Sequence, residues 1–203
     1  MQTATSRLLT HEEYFQLEQQ QDQRYDYLAG EVFAMAGGSE RHALISMNTG
    51  AALVNATRDR PCRVYGADMK LYIPAYDHYC YPDLMLLCET GRRHEFHVEA
   101  PNLIVEVLSA TTASYDRGTK FEHYRSIDSL LYFLLLDQDR PHAELFERLP
   151  EGGWKLTEAS GADSEVYLAR LGIGLPLDEL YRQVEWDPTN ASSPPPDMPA
   201  ANG

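Results

Sequence analysis

The stretch Tyr81-Pro-Asp83-Leu-Met-Leu-Leu87, followed by Asn102-Leu-Ile-Val-Glu106-Val-Leu-Ser109 and Tyr115-Asp-Arg-Gly-Thr-Lys120, decides how the chain is read. The first two runs are short and apolar with strand character, and each carries one acid, Asp83 and Glu106. A carboxylate among Leu, Ile and Val is costly to bury unless it is paired or coordinates a cation. If the two runs are sheet neighbours, both acids reach one cleft. Two carboxylates with water and a substrate phosphate are a usual setting for Mg²⁺, with Mn²⁺ as the alternative. Strand alternation puts Glu106 on the face of Leu108 and leaves the Val107 carbonyl as a further oxygen ligand. Lys120, on a following helix, supplies positive charge where a phosphate develops negative charge. Together these groups read as a hydrolytic phosphodiester site.

Working outward, the 203 residues, 43% of them hydrophobic, suffice for one good core. Seventeen basic against thirty-one acidic residues give a net charge of −14, the wrong sign for binding nucleic acid by bulk charge. A polyanion must therefore be met locally. Cys62, Cys80 and Cys88 are odd in number and lack CxxC or Cys/His spacing, so neither a disulfide framework nor a zinc site is expected, and a reducing compartment is. The first residues lack the apolar core of a signal peptide, and no apolar run approaches the roughly 18 residues that span a bilayer. The expectation is a cytoplasmic protein with no membrane segment.

Thr10 and Glu13 form a capping-box pattern for a helix over 11–20. Arg24 to Met35 reads as a hairpin around Gly30, and Ser39 caps a longer helix in which Leu44, Met47, Ala51 and Val54 recur at helical spacing. Strands follow at Arg63–Gly66 and Met69–Ile73, then a Tyr/Asp/His-rich loop, then the two acid-bearing strands. Thr111 to Ser114 caps the helix carrying Lys120, and Leu130–Leu136 reads as a buried central strand. Ala143–Arg148 and Gly153–Thr157 pair around Gly152-Gly153, and Leu177–Arg182 is a last helical turn or two. The domain reading is an extension at 1–9, one domain at 10–186, and a disordered Pro-rich tail at 187–203.

Tyr-Pro-Asp83, Leu-Ile-Val-Glu106-Val-Leu-Ser and Asp116-Arg-Gly-Thr-Lys120 resemble the signature of the Uma-type restriction endonucleases, within the PD-(D/E)XK nuclease superfamily. The resemblance runs from about Thr10 to Arg182 and takes in Tyr27-Leu-Ala-Gly-Glu31, His42 and Leu131-Tyr-Phe-Leu-Leu-Leu-Asp137. It implies an α/β fold with a restriction-endonuclease-like core, a mixed β-sheet flanked by helices. It further implies Mg²⁺ dependence and nuclease chemistry, with Asp83 and Glu106 as metal ligands, Glu31 as an additional acid and Lys120 as the catalytic lysine. One departure stands out: the (D/E)xK triplet reads Glu106-Val-Leu108, so the lysine is relocated to Lys120.

Each feature also has an ordinary reading. Asp after Pro is turn chemistry, Glu106 can be a buried partner of Lys70 or Lys120, and His42 can be a packed or capping histidine. Asp68 and Lys70 can be a solvated strand face, and Arg92, Arg93 and His94 an exposed loop. The function read from the sequence is Mg²⁺-dependent endonucleolytic hydrolysis of DNA. The alternatives are a catalytically silent nuclease-fold binding protein and a metal-dependent hydrolase of a smaller phosphoester. A homodimer follows from family habit and from the need to place two sites on a duplex.

Overall fold

The computed structural model describes residues 7–35, 37–88, 94–109 and 112–186. The expected Pro-rich tail, Thr111, Arg92 and Arg93 lie outside these. In chain order the elements are α1 (His11–Gln21), β1 (Tyr25–Leu28), β2 (Glu31–Ala34), α2 (Glu40–Ala56), β3 (Cys62–Gly66), β4 (Lys70–Ile73), β5 (His78–Cys80), β6 (Leu84–Cys88), β7 (His97–Val98) and β8 (Leu103–Leu108). Then come α3 (Ala113–Tyr115), a π-helical turn (Asp116–Lys120), α4 (Phe121–Tyr124), β9 (Tyr132–Asp137), β10 (His142–Arg148), β11 (Trp154–Ser160), β12 (Glu165–Leu168), β13 (Ile173–Pro176) and α5 (Leu177–Leu180).

The main sheet has the order β11-β10-β9-β8-β6-β3, mixed because β8 and β9 run parallel while the other neighbours are antiparallel. Alternation along β8 divides its residues. Leu103, Val105 and Val107 enter the core under α2, with Ile45 and Leu53; Ile104 and Leu108 enter a second core with Tyr124 and Phe133. The sheet thus carries helices on both faces, as the α/β expectation requires. β9 is the buried central strand read from Leu130–Leu136, with Tyr132 through Leu136 all at 0% exposure.

A second sheet, β2-β1-β5-β4-β7, packs α1 against it through Tyr14, Tyr25, Tyr27 and Tyr79. Thr10 and Glu13 make the full capping box on α1, and Ser39 accepts from the His42 N–H at the start of α2. Three things differ from expectation. The Tyr/Asp/His-rich segment contains β5, and the 161–176 region forms the β12–β13 pair. The cysteine expectation is also overturned, because Cys62 and Cys88 are directly opposite in the β3–β6 register and form a disulfide. A cross-strand pair 26 residues apart in sequence has no local spacing signature, and the odd cysteine is the buried Cys80. The step from cysteine count to a reducing compartment therefore does not hold.

Candidate active site

The β6–β8 register pairs Leu84 with Val105, which brings the residue before β6, Asp83, beside Glu106. The Asp83 N–H faces Glu106 Oε2 at 3.4 Å, and Asp83 Oδ2 accepts from the Val107 N–H at 2.7 Å. His42, in the first turn of α2, reaches the same Oδ2 through Nε2 at 3.1 Å. That contact raises His42 above the ordinary imidazole range, against the lowering effect of its burial. Val107 thus engages the site through its N–H as well as offering a carbonyl.

Lys120 arrives from the other side. The turn from Asp116 to Lys120 is π-helical, a geometry that adds a residue to the turn and recurs at functional sites. Lys120 Nζ lies 3.0 Å from Glu106 Oε1 and 3.3 Å from Asp116 Oδ1. Tyr124, one turn on, donates to Glu106 Oε1 at 2.7 Å. Leu108, at the usual lysine position of the triplet, is in the core, and the helix amine takes up the contact with Glu106.

The cluster carries more acid than base. Asp26, Asp83, Glu106 and Asp116 face one ammonium and one imidazole. Burial raises the Glu106 carboxyl to about 8, with Lys120 opposing it and Asp83 and Asp116 adding to it. Burial alone would lower Lys120, but Glu106, Asp26 and Asp116 hold it well above the usual lysine value. Asp26 is raised to about 6 by burial, with Lys120 pulling the other way, and its Oδ1 is buried without a hydrogen-bond partner.

Asp26 is the residue the sequence reading passed over. Its signal was the same as that of Glu106: a lone acid in a strand-like run, between Tyr25 and Tyr27. Glu31 was expected in its place. By register Glu31 pairs with Leu28 and shares the face of Asp26, but it is exposed at the hairpin end, and among the described contacts none joins it to the cluster. Lys70 is elsewhere, paired with Glu18 at 2.7 Å beneath aromatic rings, and Asp68 meets Arg24 at the surface. His94 stacks on His97 outside the cluster.

Residues 11–178 match the model of the Uma2 family, described as "Putative restriction endonuclease". The uncharacterized protein sll1609 of Synechocystis sp. is 34% identical over 176 residues, covering 85% of this chain and 99% of that one. The uncharacterized protein slr1290 of the same organism is 31% identical, covering 86% and 92%. Among solved structures, a putative nuclease belonging to DUF820 from Anabaena variabilis superposes with a TM-score of 0.64 at 14% identity, covering 79% of this chain and 90% of that one. At that identity the likeness establishes the nuclease-like fold.

Proposed function

The chain belongs to the Uma2 family, whose description is putative restriction endonuclease, and from that premise we propose that it is a Mg²⁺-dependent endonuclease hydrolysing DNA phosphodiester bonds, with Mn²⁺ as a substitute. The observation that carries this reading is the meeting of Asp83 and Glu106 at one sheet end with Lys120 and a surplus of buried carboxylate.

The residues fit a divalent cation. Four carboxyls share one ammonium and one imidazole, burial with Asp83 and Asp116 nearby pushes Glu106 up to about 8, a proton a cation would displace, and the Asp26 Oδ1 acceptor is unsatisfied in a buried setting. Asp83 and Glu106 are the assigned ligands, with the Val107 carbonyl as a main-chain oxygen, and Asp26 takes the place first given to Glu31. When bound, the ion polarises a phosphoryl oxygen and lowers the pKa of water. Lys120, held charged by its carboxylates, is placed to stabilise the negative charge that grows on the phosphate. The Val107 N–H and His42 fix the Asp83 carboxylate in one orientation.

Cleavage of supercoiled plasmid with Mg²⁺, Mn²⁺ or EDTA tests the reading, beside Asp83→Asn and Glu106→Gln. Nicking that requires the ion and is lost in both variants is expected. Nicking that survives both, or none with either ion, would overturn it. The net charge of −14 favours a second reading, hydrolysis of a smaller phosphodiester. Turnover of bis(p-nitrophenyl) phosphate without plasmid cutting would select it.

A further inference from the structure

One row of residues crosses the main sheet on the Lys120 side: Glu106 pairs with Leu135, Leu135 with Glu144, and Glu144 with Glu158. The π-helical turn lies over this row, with Lys120 on Glu106 and Arg117 in a two-point bond to Glu144. Past Arg117, among the described ion pairs, no lysine or arginine meets Glu158. His142 is nine-tenths buried there, and its Nδ1 lies 2.7 Å from Ser160 Oγ. Its Nε2 faces Glu158 Oε1 at 3.5 Å and Glu144 Oε1 at 4.0 Å.

We propose that His142, Glu144 and Glu158 form a second metal site, for a borderline divalent transition ion such as Zn²⁺. One imidazole nitrogen and two carboxylate oxygens are a ligand set of that class, and hard ions such as Mg²⁺ prefer oxygen alone. With Zn–N and Zn–O bonds near 2.0–2.1 Å, tetrahedral geometry puts ligand atoms about 3.3 Å apart, so the observed spacings need small side-chain adjustments. Glu158, 60% exposed, supplies both the movable ligand and the way in. The Ser160 contact is the usual outer-shell support: with Nδ1 donating to Ser160 Oγ, the lone pair is on Nε2. Glu144 keeps its guanidinium partner, and the ion gives Glu158 a cationic partner.

This site is distinct from the proposed catalytic centre. Glu144 is two strands from Glu106, about 10 Å at a spacing near 4.8 Å, whereas paired catalytic ions sit about 3.5–4 Å apart. The inference therefore stands whether or not the protein cuts DNA. His94, His97 and Glu99 are a rival cluster, with both Nε2 atoms 3.4 and 3.7 Å from Glu99 Oε1 and the two rings stacked at 4.2 Å, and the His94→Gln variant below separates the two sites.

Calorimetric titration of the full chain with Zn²⁺ in excess Mg²⁺ tests the site. One tight equivalent is expected in the wild type, in Asp83→Asn and in His94→Gln, weakened at least about tenfold in Glu158→Gln. Ser160→Ala is expected to weaken it about 10–100-fold. Glu158 is at the surface, so its variant reports binding rather than folding. Absence of a tight equivalent, its persistence in Glu158→Gln, or its loss in Asp83→Asn or His94→Gln would overturn the assignment.

Discussion

Glu106 combines the two readings its sequence context allowed. It is paired with Lys120, as a structural acid would be, and it stands beside Asp83, as a ligand would. What separates the readings is the surplus: Lys120 has Asp116 as a second partner, so replacing Glu106 does not orphan the amine. The pH dependence follows from the same residue. A carboxyl raised to about 8 by burial is protonated in the fold where the unfolded chain has lost the proton. Its contribution to stability is complete below the unfolded carboxylate range and is lost as pH rises through about 8. Burial lowers His78 to about 3, which has the opposite sign below the ordinary imidazole range, so the total curve mixes both. The difference isolates Glu106: relative to wild type, Glu106→Gln should gain stability steadily from about pH 5 to about pH 9, read from urea midpoints in EDTA. A constant difference would contradict the raised carboxyl. Asp26 shows why the rest of the site was harder to see. Asp26, like Glu106, is a lone acid in a strand-like run, but the tyrosine on each side does not mark it as buried, and the family resemblance points to Glu31 instead.

At the scale of elements, legibility followed how much of each element's stability is local. The Thr10–Glu13 capping box, the Ser39 cap and the continuous apolar run of β9 are written in contiguous residues and form as expected; α2 forms too, but the stripe Leu44, Met47, Ala51 and Val54 is not its core face, since Met47 and Val54 are exposed while Ile45, Thr49 and Leu53 are buried. β5, β12 and β13 are short and fixed by their partners across the ladder; from sequence the Tyr/Asp/His-rich stretch reads as a loop, and no strand is read over 161–176. The Cys62–Cys88 bridge belongs to the same category, being a property of register. It ties the edge strand β3 to β6 and closes a loop of 26 residues. Chain-entropy estimates for such a loop give about 3–4 kcal/mol. Reduction should therefore lower the unfolding free energy by about that amount, seen as a lower urea midpoint, while Cys62→Ser/Cys88→Ser should be insensitive to reductant. An unchanged midpoint on reduction would show that the bridge does not constrain the unfolded chain. The π-helical turn was likewise invisible beforehand: Asp116 to Lys120 reads as ordinary helix, yet its geometry aims Lys120 and Arg117 at two acids of the same strand row.

For the whole molecule, the α/β class, the helices on both sheet faces and the family were legible through the resemblance carried by Tyr-Pro-Asp83, Leu-Ile-Val-Glu106-Val-Leu-Ser and Asp116-Arg-Gly-Thr-Lys120. The second sheet was not, since its core is built from tyrosines scattered between residues 14 and 79. Among the described residues no helix is long and apolar enough to cross a membrane. A net charge of −14 means that any duplex must be held by local groups around the site, and the proposed cation would offset the carboxylates there. The proposed function requires Asp83 and Glu106 to share a divalent ion. Thermal unfolding of wild type and Glu106→Gln, in EDTA and in Mg²⁺, tests that most directly. The variant should lie within about 1 kcal/mol of wild type, or above it, without metal, and should lose the Mg²⁺-induced rise in melting temperature. A loss of about 3–5 kcal/mol in EDTA, the cost of breaking a buried structural pair, with the Mg²⁺ response intact, would contradict it.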